Sequence, residues 1–229
     1  MMKLSISMTP DENKMGWLFL SIQLIFLPRL LTAINALLEQ PMSLALLNFL
    51  MFAINFLLAV LIFHRFLWQS LKTAIRSPIR LLRPAFLGFV FYYLADLVMR
   101  ELIQAVCPDF SNLNDQSIIS MTQDHYALMA IGTVILVPVV EELLYRGLIF
   151  GSLQKKSRIV AYLVSVPVFC MIHIVNFIGV YTPIQLALSF LQYVPAGICL
   201  AWAYERADSI WAPILMHTAI NQIAISFSR

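Results

Sequence analysis

Charged residues are scarce in this 229-residue chain, where Asp, Glu, Lys and Arg together make up 12%. Soluble domains carry about 25% charged residues, whereas hydrophobic residues here reach 61% and the mean hydropathy is +0.83. This composition excludes a water-soluble fold. Apolar runs of about 20 residues, the length that crosses a bilayer, recur along the chain. The sequence therefore predicts an all-α, polytopic transmembrane helical bundle of about seven spans, within a range of six to eight.

Cysteine is also rare. The three cysteines, Cys107, Cys170 and Cys199, form no CxxC pair and no other metal-binding spacing. Neither a disulfide framework nor a thiolate metal site is therefore predicted. Low-complexity tracts and soluble segments are lacking as well, which predicts a single integral membrane domain.

Seven apolar segments are predicted to be helical spans, at 17–38, 43–63, 85–106, 126–152, 159–179, 184–203 and 209–226. Pro28 and Arg29 interrupt the first segment, which predicts either a kinked span or a re-entrant element. Within the single domain we distinguish N-terminal helices, residues 1–125, from a core, residues 126–226, that contains the candidate site.

Lys and Arg residues are concentrated in two connections between spans. Residues 64–84 contain five of them, no acid and many large apolar side chains at helical spacing, which predicts an amphipathic helix on the membrane surface. Residues 155–158, KKSR, are also basic, whereas residues 107–125 contain three Asp and no Lys or Arg. Because basic connections stay in the cytoplasm, the N-terminus is predicted to be cytoplasmic. Membrane flanks explain these charges, so no nucleic-acid partner is predicted.

Three of the last four spans carry polar side chains that a purely structural span does not need. The fourth span contains Glu141, Glu142 and Arg146, the fifth contains FCMIH, ending at His173, and the seventh contains HTAIN, from His217 to Asn221. At about 1.5 Å of rise per residue, these side chains fall within a turn or two of the same depth. Ionisable groups inside a membrane indicate a functional site by default.

The two glutamates have different neighbours on their helix. Glu142 and Arg146 are four residues apart and face each other along the helix, so they are expected to form a supporting pair. Glu141 points about 100° away and has no cation on its own face. An unpaired carboxylate of this kind suits a proton acceptor. Pro138, three residues earlier, removes a backbone hydrogen bond from the helix.

The histidines complete a set of groups for hydrolysis. His217 and Asn221 are four residues apart, and both can donate hydrogen bonds to a developing oxyanion. His173 follows Phe169 by one helical turn, and that ring is expected to fix the orientation of the imidazole. A carboxylate base, a histidine that holds a water and a donor pair together suffice for hydrolysis of an amide.

The sequences EELLYR, FCMIH and HTAIN resemble the EExxxR, FxxxH and HxxxN motifs of the CAAX prenyl endopeptidase and bacteriocin-processing family, the CPBP or Abi family. The resemblance spans about residues 126–225. It implies an intramembrane endopeptidase, here in a bacterial cell membrane, whose site opens toward the cytosolic side. It also implies that the first glutamate and FCMIH histidine activate the water, that the HTAIN histidine and asparagine stabilise the oxyanion, and that the second glutamate and the arginine support the site.

The same resemblance leaves metal dependence open, because family members are described both as metallo-enzymes and as glutamate-dependent enzymes without metal. A divalent ion such as Zn²⁺ would be bound by Glu141, His173 and His217. The spacing is not HExxH, however, and asparagine is a poor zinc ligand. The favoured alternative is the metal-free mechanism, in which no cofactor is required. The expected partners are membrane lipids and a peptide or protein substrate, such as a leader-peptide precursor or a lipid-modified chain.

Other functions fit the same residues. A bacteriocin self-immunity protein would bind a peptide or a partner protein without hydrolysing it. A proton-coupled transporter also uses buried Glu and His, although no inverted repeat or pair of Gly-broken helices favours it. Taken alone, His173 is best explained as an interhelical hydrogen bonder. Only the joint occurrence of Glu141, His173, His217 and Asn221 indicates a site.

Overall fold

A computed structural model describes residues 4–227 of the chain. These residues form nine helices and no strand, so the predicted all-α class is confirmed. The helices are α1 Pro10–Ala36, α2 Leu44–Ile62, α3 His64–Arg76, α4 Pro78–Val106, α5 Leu113–Asp124, α6 Tyr126–Gln154, α7 Arg158–Phe177, α8 Pro183–Ala207 and α9 Trp211–Ser226.

Six of these helices, α1, α2, α4, α6, α7 and α8, are long and apolar enough to cross a membrane. The seventh predicted span, α9, has only 16 residues, fewer than the about 20 that a full crossing needs. The count of six lies at the lower end of the predicted range. The predicted division between residues 125 and 126 falls at the start of α6 and stays a prediction.

Two spans begin earlier than predicted, because prolines start both helices. α1 begins at Pro10, where Thr9 and Glu12 form a capping box. It continues past Pro28 as one helix rather than a re-entrant element, after a wider turn at Ile22–Phe26 with hydrogen bonds from residue i to i+5. α4 begins at Pro78, a position in the first turn where the missing N–H costs nothing.

Buried polar contacts stabilise the basic end of the bundle, the end at which the connections 64–84 and 155–158 lie. The carboxylate of Glu12 accepts the backbone N–H of Phe66 at 2.8 Å, at the start of α3. Between α8 and α9, the hydroxyl of Ser209 lies 2.9 Å from that of Ser70, which also accepts the Ile210 N–H. The predicted amphipathic helix therefore exists as α3, and it is packed into the fold.

The N-terminal segment is held at the same end. Asp208 links α8 to α9 in a left-handed conformation, with φ of 54°. Its carboxylate accepts hydrogen bonds from the backbone and hydroxyl of Ser5, and from Arg80 on α4 at 3.3 Å. One buried acid thus joins the N-terminal segment, α4 and the α8–α9 turn.

A helix that the sequence does not predict, α5, covers the acidic end of the bundle. Its first turn is capped by Asn112, which also donates to Gln192 on α8 at 3.0 Å. Asn114 donates to the hydroxyl of Tyr193 at 3.0 Å, and that hydroxyl donates to Asp115 at 3.1 Å. These hydrogen bonds pack α5 on α8, and the resulting burial raises the pKa of the Asp115 carboxyl.

The central helix is α6, which has the largest buried share among the six spans. It departs from α geometry at Gly132–Leu136 and at Leu143–Phe150, where hydrogen bonds run from residue i to i+5. Wide turns of this kind are frequent at functional sites. The two adjacent glutamates lie on the short α-helical segment between them, Val137–Glu142.

Candidate active site

Glu142 is completely buried and accepts hydrogen bonds from two other residues of the site. Its Oε1 accepts a hydrogen bond from Arg146 at 3.0 Å and one from Nδ1 of His217 at 2.8 Å. Arg146 also donates to the carbonyl of Gly197 at 3.3 Å, and its guanidinium lies 4.3 Å from the centroid of the Phe169 ring. The structure has the Glu142–Arg146 pair that the spacing predicts. The contact between Glu142 and His217 joins α6 to α9, and nothing in the sequence predicts it.

Both histidines are fixed in the same tautomer by their acceptors. The carboxylate of Glu142 can only accept, so Nδ1 of His217 carries the hydrogen. Nδ1 of His173 lies 2.8 Å from the backbone carbonyl of Phe169, which can also only accept. Each neutral ring therefore has an unprotonated Nε2.

These two Nε2 atoms converge on Glu141. Each lies 4.0 Å from Oε2 of Glu141, beyond the 2.7–3.2 Å range of a hydrogen bond. Within residues 4–227, that oxygen has no hydrogen-bond partner. Three acceptors cannot bond to one another, but at this separation a water could donate its two hydrogens to two of them.

Accessibility separates the two glutamates. The side chain of Glu141 is 19% exposed, whereas that of Glu142 is completely buried. His173 is 16% exposed and His217 is 8% exposed. Glu141 and His173 are therefore more accessible than Glu142, which contacts His217 from the buried side of the site.

Asn221 contacts the backbone of α6. Its amide Nδ2 donates to the carbonyl of Thr133 at 2.7 Å, in the first of the two wide turns. The sequence instead predicts that this amide faces an oxyanion together with His217. The contact occupies one of the two amide hydrogens, and the oxyanion role stays a prediction.

Tyr193 is a neighbour of the site that no motif predicts. The centroid of its ring lies 4.4 Å from that of the His173 imidazole, and its hydroxyl contacts Asp115 of α5. The Phe169 ring lies 4.6 Å from the same imidazole. Two aromatic rings thus hold His173, and through Tyr193 the site borders the acidic end of the bundle.

The distances allow a test of the predicted zinc ligands, Glu141, His173 and His217. Tetrahedral zinc holds N and O atoms at about 2.0–2.2 Å, which puts neighbouring donor atoms about 3.4 Å apart. The carboxylate oxygen here is 4.0 Å from each imidazole nitrogen. Across the described residues, no three His, Cys, Asp or Glu side chains form a cluster suited to a metal. The donor set does not fit zinc at these distances, and metal independence stays a prediction.

Comparison with known proteins finds a family model that matches the part of the chain containing the site. Residues 123–223 match the family model described as Type II CAAX prenyl endopeptidase Rce1-like. The matched segment covers less than half of the chain, and it is similar to the CPBP family that the motifs predict. The three motifs that predicted this family, from Glu141 to Asn221, all lie within the matched segment.

Three curated proteins are similar to this chain. YdiL of Bacillus subtilis (strain 168), provisionally named a membrane peptidase, is 30% identical over 113 residues, which cover 49% of this chain and 41% of YdiL. Two UPF0177 proteins of Lactococcus lactis subsp. lactis (strain IL1403) are also similar. YxdF is 29% identical over 87 residues (38% of this chain, 42% of YxdF), and YbdJ is 31% identical over 86 (38% and 33%). The chain thus matches less than half the length of each relative. No solved structure matches it.

Proposed function

We propose that this protein is an intramembrane endopeptidase of the CPBP family, which hydrolyses a peptide bond with a water activated by Glu141. One observation carries the proposal: Oε2 of Glu141 and the two histidine Nε2 atoms converge at 4.0 Å. Two fixed acceptors, Glu141 and His173, orient the two hydrogens of a water better than a single acceptor does, and His217 lies at the same point. Preorganised groups of this kind supply much of an enzyme's rate enhancement.

The proposed reaction begins when the water transfers a proton to Glu141 and its oxygen attacks the peptide carbonyl carbon. His173 accepts a hydrogen bond from the second water hydrogen and so directs the attacking lone pair. As the C–N bond breaks, Glu141 returns its proton to the amine leaving group. The products are an amine and a carboxylic acid, which loses its proton to His173 or to solvent.

The tetrahedral intermediate places negative charge on the former carbonyl oxygen. His217 reaches this oxygen as a donor when Nε2 has taken a proton from solvent before the attack, and Glu142 at Nδ1 then balances the charge of the imidazolium. Asn221 is the second predicted donor. The proposed substrate is a peptide or protein precursor in the membrane, either a leader-peptide precursor or a lipid-modified chain.

The test is cleavage of a quenched-fluorescent peptide library by the purified protein in proteoliposomes. We expect cleavage that is equally fast with and without a chelator, because the donor geometry does not suit zinc. Protein-free liposomes are the control. Loss of all cleavage on chelation, with recovery when Zn²⁺ is returned, would contradict the metal-free mechanism. No cleavage of any peptide would count against the peptidase.

The side of the membrane on which the bond is cut is a separate proposal. The family resemblance favours the cytoplasmic side, whereas the contact of His173 with Tyr193 puts the site near α5. Basic residues lie at the opposite end of the bundle, in α3 and at Lys155–Arg158. Since basic ends stay in the cytoplasm, the charges favour a cut in the outer half of the bilayer.

Labelling of Cys107 distinguishes these sides. This cysteine follows α4 at the acidic end and is partly exposed, whereas Cys170 is buried. We expect a membrane-impermeant maleimide to label intact cells at Cys107, and the C107S variant to lose the signal. Labelling only after the cells are opened would place the acidic end, and the site, on the cytoplasmic side.

A further inference from the structure

The first wide turn of α6 leaves one backbone carbonyl without its usual partner. In an α-helix, the carbonyl of Thr133 would accept the N–H of Val137. That N–H is given to the carbonyl of Gly132 instead. The next candidate along the helix, residue 138, is proline and has no N–H. Thr133 is buried, and a buried carbonyl left unpaired is costly.

Asn221 supplies the missing donor from a neighbouring helix. Its Nδ2 donates to the Thr133 carbonyl at 2.7 Å, across 88 positions of sequence. In apolar surroundings such interhelical contacts replace the hydrogen bonds that a proline frees. The same helix, α9, carries His217 one turn earlier, and Val137–Glu142 carries both glutamates immediately after the wide turn.

We propose that Asn221 is a positioning residue that acts through the carbonyl left free by Pro138. By holding α9 against α6 at Thr133, it sets the position of His217 relative to Glu141 and Glu142. This proposal depends on the proposed peptidase function only for its effect on catalysis. The role in holding the two helices together stands independently of any substrate.

The proposal predicts a rescue. In N221L, the Thr133 carbonyl loses its donor, and we expect the equilibrium constant for unfolding in detergent micelles to rise about 10- to 100-fold. In the P138A/N221L double variant, the alanine that replaces the proline has a backbone N–H, which can reach that carbonyl and replace the amide. We expect the unfolding constant of the double variant to be at least about fivefold lower than that of N221L.

Matched controls separate this effect from general changes in the helices. Gln222, next to Asn221, is exposed, and its amide donates a hydrogen bond to Ser226 in the last turn of its own helix, so Q222L should unfold like the parent. Pro84 lies inside α4, away from the wide turn, so P84A should not rescue N221L. If N221L costs the same stability in the P138A background as in the parent, the proposal is wrong.

Cleavage of the peptide library gives a second measurement. A positioning role predicts that kcat falls about 10- to 100-fold in N221L with little change in KM, and that it recovers in P138A/N221L. A kcat that stays low after stability has recovered would make Asn221 an oxyanion donor and overturn the positioning role. If no peptide is cleaved even by the parent, the proposed function fails, while the unfolding measurements still decide the helix contact.

Discussion

The E141Q variant should cleave peptides at least about 1000-fold more slowly than the parent protein. Glutamine has nearly the same shape, but its amide cannot take a proton from the water. General acid–base catalysis contributes about 10²- to 10⁴-fold, and in the proposed reaction Glu141 transfers the proton in both steps. The measurement is the single-turnover rate with the peptide that the parent cleaves fastest.

The fold of E141Q should remain intact, because the exchanged oxygen has no protein partner within residues 4–227. Unfolding in detergent should therefore differ little from that of the parent. E101Q is the matched control, since Glu101 is an exposed acid on α4 and has no part in the site. It should cleave at the parent rate. Cleavage by E141Q within tenfold of the parent rate would rule out Glu141 as the base.

The same variant distinguishes the other functions. A bacteriocin self-immunity protein that acts by binding predicts that cells carrying E141Q are protected as well as cells carrying the parent. Proton-coupled transport predicts uptake into liposomes that depends on a proton gradient and is lost in E141Q. Neither outcome is expected if the task of Glu141 is to activate water within a peptide-cleaving site.

Interactions within one helix were predictable from the sequence. Glu142 and Arg146 are four residues apart, so helix geometry alone brings them together. The same rule leaves Glu141 without a cation on its own face. His173 and Phe169 are also one turn apart, and the imidazole bonds to the Phe169 carbonyl as well as facing its ring. These contacts follow from 3.6 residues per turn, whatever the packing of the bundle.

Interactions between helices were not predictable. The bond between Glu142 and His217 joins residues 75 positions apart, and its geometry depends on how α9 rotates against α6. The wide turns of α6 make the facing side chains harder to predict. Each turn contains an extra residue, which rotates the part of the helix that follows. Pro138 was the available signal for Asn221: it frees a backbone carbonyl, which a polar side chain on a neighbouring helix must then satisfy.

The covering helix α5 was missed for a different reason. Residues 113–124 are polar enough to look like a connecting loop, and the prediction relied on apolar runs that span the bilayer. The helix is stabilised instead by its Asn112 cap and by bonds to Gln192 and Tyr193. Charge and polarity therefore predicted the end of the bundle on which this segment lies, but not its structure or its proximity to His173.

Replacing Arg146 by methionine should destabilise the protein more than any other single change at the site. Arg146 and Glu142 are almost completely buried, and removing one partner of such a pair costs about 3–5 kcal/mol because the other charge is left uncompensated. R146M also loses the bond to Gly197 and the contact with the Phe169 ring. The expected rise in the unfolding constant, measured in detergent micelles, is at least about 100-fold.

Two comparisons show whether the loss comes from the uncompensated charge. In R146M/E142Q both charges are gone, so most of the stability should return, although the altered partner of His217 should keep cleavage slow. R100M removes the arginine of a second pair with the same spacing, Asp96–Arg100, but Arg100 is 55% exposed. Its loss should therefore be smaller. If R146M and R146M/E142Q unfold alike, the stability lost in R146M does not come from an uncompensated charge on Glu142. The proposed role of the buried pair in holding His217 would then be wrong.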